Sequence, residues 1–277
     1  MHKIIQNNTK KSPKIKKVFD FYIFSNIHVA IATYCLTKIT LLEIGITESK
    51  TASFVFLSTL LSYNLIRFVR LNTIKNWYNN WITKNTKALY FISAIGLLGT
   101  LYYSIQLRFK AILTLIPFAL ATIFYVIPIK KKSLRKIARL KIFLIAISWA
   151  GITVLFPLIQ NYMTIRITDW ITFIQRILIV IIITLPFDIR DIEYDAKELK
   201  TLPQQIGIKK TKIIGILLLI SFLILELFKS EKTIINLLII AIISGTLLIK
   251  APKKQTKYYS AFFVEAIPIL WYILVMV

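Results

Sequence analysis

Five of the chain's 12 acidic residues, Asp188, Asp191, Glu193, Asp195 and Glu198, fall between positions 188 and 198. At 100° per residue, a helix through this stretch would hold 188, 191, 195 and 198 within about 80° of one face and turn Glu193 away. Carboxylates at that spacing repel unless positive charge lies between them. Two arrangements supply it. Arg190, Lys197 and Lys200 of the same stretch can pair with the acids on a solvated face. Alternatively a hard divalent ion can bind there, since Mg2+ takes one or two carboxylates together with the phosphate oxygens of a substrate. The run starts directly after Leu185-Pro186-Phe187, at the end of an apolar segment. A polar head group could meet a membrane-buried tail at that level.

The elements that must position these residues are membrane helices. The 277-residue chain is 57% apolar and only 17% charged, with mean hydropathy +0.69, whereas soluble domains carry about 25% charged residues. Apolar blocks long enough to cross a bilayer core fall at about 18–39, 49–68, 87–105, 111–129, 140–159, 169–187, 212–228, 233–250 and 260–277. The expected fold is an all-α, polytopic membrane bundle of about nine transmembrane helices around a central cavity. Residues 1–17 form a basic tail and 18–277 a single membrane domain, with long loops at about 69–86 and 188–211.

Charge tests this map. With the N-terminus cytoplasmic, the inner segments 1–17, 67–87, 130–141, 190–212 and 250–257 hold 28 of the 36 Lys and Arg residues by count along the sequence. That asymmetry follows the positive-inside rule. It places the acidic loop inside and the C-terminus outside, in a bacterial-type cytoplasmic membrane. The net charge of +24 then serves topology and contact with anionic membrane lipids, not nucleic acid, for which no soluble domain exists. Cys35 is the single cysteine and the two histidines are His2 and His28, which excludes a disulfide framework and a zinc site. The first apolar segment is too long for a cleaved signal peptide and reads as a start-transfer helix. No helix shows the Gly/Pro-broken pattern of transporter sites, which argues against a small transporter.

The segment Asp188-x-Arg190-Asp191-x-Glu193-x-Asp195, followed by Thr201-Leu202-Pro203 and Gly207, resembles the second Asp-rich motif of the UbiA-type prenyltransferase superfamily. The resemblance implies a nine-helix membrane enzyme with Asp-rich motifs on two cytoplasmic loops. These bind Mg2+ and the diphosphate of an isoprenoid donor, whose prenyl group passes to an aromatic or lipophilic acceptor. Carried over by position, Asp191 and Asp195 are the catalytic carboxylates, joined by Asp188 as metal ligands, with Arg190 beside the donor. The family's Gly before Thr-Leu-Pro is replaced by Glu198, Leu199 and Lys200.

The first motif of the family, Asn followed by Asp at +4 and +8, would start at Asn64. Those positions hold Phe68 and Asn72, and no acid stands between Ser49 and Asp169. Basic residues stand there instead, with Asn64, Arg67, Leu71 and Lys75 on one helical face. Arg67 could pair with Asp191 or Asp195. Equally, Arg67 and Arg70 could hold the diphosphate directly, since arginine's planar fork matches phosphate oxygens. Asn64, Arg67, Asn72, Lys141 and Arg190 are therefore the expected substrate-binding residues. Lys141 ends the basic run 130–141, which also reads as a lipid-anchoring loop. A non-catalytic isoprenoid- or lipid-binding protein of the same fold is the alternative function.

Three further polar positions lie within apolar segments. His28 could bind an acceptor or be a satisfied interior histidine, and Asn26 shares its depth. Glu265, costly to bury alone, is a cavity-lining candidate. Trp77 and Trp81 read as interfacial aromatics or as the apolar face of a helix capping the site.

Overall fold

The computed structural model describes residues 14–69, 77–126, 140–195, 199–229 and 234–277. Every regular element among them is helical: α1 (Lys14–Phe24), α2 (Ile27–Glu43), α3 (Lys50–Val69), α4 (Trp77–Ser104), α5 (Phe109–Val126), α6 (Leu140–Ala150), α7 (Phe156–Gln160), α8 (Ile167–Arg190), α9 (Leu202–Glu226), α10 (Ile234–Lys250) and α11 (Ile267–Met276). Each apolar block read from the sequence falls largely within this helical framework. α3, Leu140–Gln160, Ile167–Glu193 and Tyr259–Met276 are each long and apolar enough to cross a membrane, and α1 with α2 makes a fifth such span, bent by 55°. The protein is a helical membrane bundle.

The bundle is apolar outside as well as inside, as a lipid-facing surface requires. On α4, Phe91, Leu98 and Leu101 are exposed, while Gly96 and Gly99 face α3. A Cβ on Gly99 would lie 2.6 Å from a methyl carbon of Leu57, so the glycines permit the close backbone approach typical of membrane helix pairs. α8 is the central rod: Ile179, Ile182 and Leu185 are buried to within about 1%.

Two boundaries differ from the sequence reading. α4 opens at Trp77, so the second half of the expected 69–86 loop is helix. α8 continues through Asp188 to Arg190 and then tightens into a 3-10 turn over Asp191–Glu193. The described part of the acidic run is therefore not one continuous α-helix. α9 starts at Leu202 with proline in its first turn, where the missing N–H costs nothing. Gln204 fastens that start: its Oε1 accepts the Thr201 N–H at 3.0 Å and its Nε2 donates to the Asp195 carbonyl at 3.0 Å.

Three interruptions of helical geometry shape the interior. The first is Ser25–Asn26 between α1 and α2, with Asn26 in the left-handed region at φ 69°. The others are π-helical turns over Gly151–Leu155 and Tyr259–Val264. Such turns widen a helix by one residue and recur at functional sites.

Candidate active site

A cavity of about 1090 Å3 lies between these interruptions. Asn26, Ile152 and Ala261, one from each, line it. Its apolar wall includes Phe54, Phe118, Leu144 and Trp149. Trp149 donates its indole N–H to the Tyr63 hydroxyl at 3.0 Å, which fixes two of the wall's aromatic rings. Gly151 lets Phe118 lie directly on the π-turn: a Cβ there would sit 2.0 Å from the ring's Cζ.

At the polar end, Arg67, Arg190, Lys253, Lys254 and Lys257 line the cavity against Asp191, Glu193 and Glu265. Arg190 pairs with Asp191, Lys253 with Glu193 and Lys257 with Asp20 of α1, so with Glu265 counted the five cations exceed the acids around them by one formal charge. The lysines arrive on the α10–α11 connection, which Gln255 pins to α8 by donating to the Pro186 carbonyl at 2.8 Å. Lys257 binds both oxygens of Asp20 on α1, at 2.7 and 2.8 Å, and Tyr258 donates to the same carboxylate at 2.6 Å. Burial works against the Lys257 charge, but these hydrogen bonds outweigh it and hold the ammonium above its ordinary value. Along the sequence these lysines count only as topology-setting charge in 250–257, and nothing one-dimensional distinguishes a lysine folded over a cavity from one facing lipid.

Arg67 is the buttress of the α1–α2 break. A helix end leaves carbonyls without intrahelical partners. Arg67 donates one terminal N–H to the Phe24 carbonyl and another to Asn26 Oδ1. Its guanidinium lies 4.7 Å from the centre of the Tyr78 ring, and the Tyr78 hydroxyl also reaches the Phe24 carbonyl at 3.3 Å. Of the two alternatives for Arg67, pairing with Asp191 or Asp195 is not made; the guanidinium is engaged by acceptors of the broken helix instead. Asn64 is fully buried and receives the Asn26 amide at 2.8 Å. It does not line the cavity, and its contact is with Asn26, which does. Asn72, Arg70 and Lys75 lie outside the described residues, as does Glu198.

The remaining expected site residues divide into two groups. Arg190 and Asp191 line the cavity and form a two-pronged pair, at 2.7 and 2.9 Å. Asp188 and Asp195 turn away from it onto Lys141, whose ammonium lies 2.8 Å from a carboxylate oxygen of each. Lys141 itself is buried and is not a cavity-lining residue. The expectation that Asp188, Asp191 and Asp195 gather around one metal does not match this arrangement. α8 ends at Arg190 and a 3-10 turn follows over Asp191–Glu193; Asp191 lines the cavity, whereas Asp188 and Asp195 meet Lys141. Glu265 does line the cavity and feels both Arg190 and Arg67 electrostatically. His28 is a satisfied interior residue, with Nδ1 2.7 Å from the Tyr22 hydroxyl and Nε2 3.0 Å from the Phe262 carbonyl. Trp81 packs on Phe21 and Phe24 of α1, at ring-centre distances of 6.2 and 5.7 Å.

Two solved structures share this architecture over nearly the whole chain. One comes from work on a digeranylgeranylglyceryl phosphate synthase in membranes: TM-score 0.55, 18% identity, covering 94% of this chain and 96% of that one. The other is a UbiA homolog from Archaeoglobus fulgidus bound to GPP and Mg2+: TM-score 0.61, 10% identity, covering 92% and 97%. The chain has the UbiA-type prenyltransferase fold. No family model matches its sequence, and no curated protein does.

Magnesium, which the UbiA-type fold implies, does not fit these carboxylates as they are arranged. Mg2+ needs near-octahedral oxygens at about 2.0–2.1 Å. Here Asp188 and Asp195 share an ammonium, Asp191 is held by Arg190, and no three His, Cys, Asp or Glu side chains among the described residues could hold a metal ion together. What the polar wall can do as built is receive an anion. The apolar wall can take a hydrocarbon chain attached to it.

Proposed function

We propose that this protein binds a prenyl diphosphate with its anionic head against Arg67, Arg190, Lys253, Lys254 and Lys257 and its chain along Phe54, Phe118 and Trp149, and transfers the prenyl group to a lipophilic acceptor in the same cavity. One observation carries the reading: a UbiA-type cavity of about 1090 Å3 has an aromatic, apolar wall and a cationic end. In the transfer, the allylic C–O bond breaks and pyrophosphate leaves with the electron pair. The terminal carbon bonds to a nucleophilic atom of the acceptor, which loses a proton. The cationic wall stabilises the charge gathering on the leaving group, and the aromatic wall tolerates the allylic cation. Asp191 holds Arg190 in place against the cavity. The protein works in a cytoplasmic membrane with the cationic end on the inner side, where the soluble diphosphate arises.

The test is direct. The full chain in lipid nanodiscs is incubated with radiolabelled prenyl diphosphates of several lengths and a lipid extract, and pyrophosphate and labelled lipid are measured. Transfer that falls at least tenfold in Arg190→Met, about 1.4 kcal/mol of transition-state stabilisation or more, is the expected result. Saturable donor binding without turnover across donors and acceptors would refute transfer. It would favour a second reading, a non-catalytic isoprenoid-binding member of the fold. The Lys141 bridge supports that second reading, since it neutralises two carboxylates internally.

A further inference from the structure

We infer that Lys141 takes the place of a divalent cation between Asp188 and Asp195, so that this carboxylate pair excludes Mg2+ and the anion-binding end of the cavity works with side-chain cations alone. The Lys141 ammonium lies 2.8 Å from Asp188 Oδ1 and 2.8 Å from Asp195 Oδ2, and the three side chains are only 11%, 2% and 9% exposed. Two carboxylates that approach one point need a positive charge between them, and the chain supplies one covalently.

Displacing that ammonium with a metal would strand a buried positive charge. Removing one partner of a buried pair leaves an uncompensated charge and is strongly destabilising, and the incoming ion would also have to lose hydration that Mg2+ gives up reluctantly. The bridge is also anchored on three elements. Lys141 opens α6, Asp188 belongs to the last turn of α8, and Asp195 is tied through its carbonyl to Gln204 of α9. Withdrawing the lysine would loosen that junction.

The pattern of acids elsewhere agrees. The positions that would bring carboxylates from the facing helix hold Phe68 and Asn72. Two carboxylates of the motif line the cavity, and both are engaged: Asp191 by Arg190 and Glu193 by Lys253 at 2.6 Å. Meanwhile five cationic side chains line the same cavity end. A diphosphate head bound there needs no bridging metal to screen its charge. This consequence for the donor rests on the reading proposed above; the exclusion of the metal does not.

The experiment has two arms on the full chain in nanodiscs. In the first, Mn2+ alone is titrated and followed by the EPR signal of the free ion. The wild type should leave that signal undiminished, whereas Lys141→Ala should gain one binding site and lose it again in Lys141→Ala/Asp188→Asn. Stoichiometric Mn2+ uptake by the wild type, or a folded Lys141→Ala that gains nothing, overturns the inference. In the second arm, binding of a labelled prenyl diphosphate to the wild type is measured with EDTA and with Mg2+. The Kd should change by less than about twofold, roughly 0.4 kcal/mol. Binding lost in EDTA and restored by Mg2+ overturns the inference even if the Lys141 variants do not fold. Absence of donor binding under both conditions instead refutes the donor reading, and the wild-type Mn2+ titration then decides the metal question by itself.

Discussion

Replacing Arg67 should separate its role in the fold from any role toward a ligand. In Arg67→Met the apolar stem survives but the fork is lost. The Phe24 carbonyl then keeps the Tyr78 hydroxyl at 3.3 Å, while Asn26 keeps its bond to Asn64 at 2.8 Å. Loss of a charged hydrogen bond to a half-buried carbonyl costs about 1.5–3 kcal/mol. The guanidinium's position 4.7 Å from the Tyr78 ring centre adds about 0.5–1 kcal/mol. The expected loss is therefore about 2–4 kcal/mol, or a fall in melting temperature on the order of 5–15 °C for a chain of this size. Arg67→Lys, which keeps the charge but cannot reach both acceptors, should lose roughly half as much. Tyr78→Phe, which keeps the ring, should lose about 1 kcal/mol at most. The assay is tryptophan fluorescence during heating of the detergent-solubilised protein, with gel filtration of heated samples as a second readout. An Arg67→Met melting temperature within about 1 °C of wild type would refute the claim that Arg67 caps the broken helix. If the same variant also fails to bind prenyl diphosphate while Tyr78→Phe binds normally, Arg67 acts on the ligand as well.

The other predictions concern the backbone and pH. Lys200 adopts φ 45° and Gly207 φ 80° with ψ 162°, so Lys200→Gly should stabilise by up to about 1 kcal/mol and Gly207→Ala destabilise by about 1–3 kcal/mol, both read as melting shifts of opposite sign. Because the folded chain holds the Lys257 ammonium above its ordinary value, its contribution to stability is complete below the unfolded value and lost as pH rises through the folded one. The melting-temperature gap between wild type and Lys257→Met should stay constant from about pH 7 to about pH 10 and close above it; a gap that widens as pH rises from about 7 would refute the Lys257–Asp20 contribution.

Much of this protein can be read along one dimension. Apolar blocks of bilayer length and the crowding of Lys and Arg into alternate connections determine a helical membrane bundle, because partition into lipid acts on each segment separately. The acidic run after Leu185-Pro186-Phe187 stood out for the same reason: five acids in a chain with 12 mark a place even before the fold is known. The missing carboxylates at Phe68 and Asn72 were equally legible.

Partner choice was not. Whether Asp188, Asp191 and Asp195 act together depends on which counter-charges the packing brings near them: Asp191 lines the cavity beside Arg190, while Asp188 and Asp195 meet Lys141. Arg67 finds the Phe24 carbonyl only because α1 breaks at Ser25–Asn26, and Lys257 meets Asp20 across a separation of 237 positions. Arg176, buried in α8 and donating to the Leu36 carbonyl at 3.0 Å, gave no sign in the sequence of the helix it would join. The sequence by itself determined that a run of carboxylates would stand at the end of an apolar, membrane-length segment. Only the tertiary structure decided that two of those carboxylates close on a lysine, because a charge buried between helices takes whichever counter-charge the packing brings within reach.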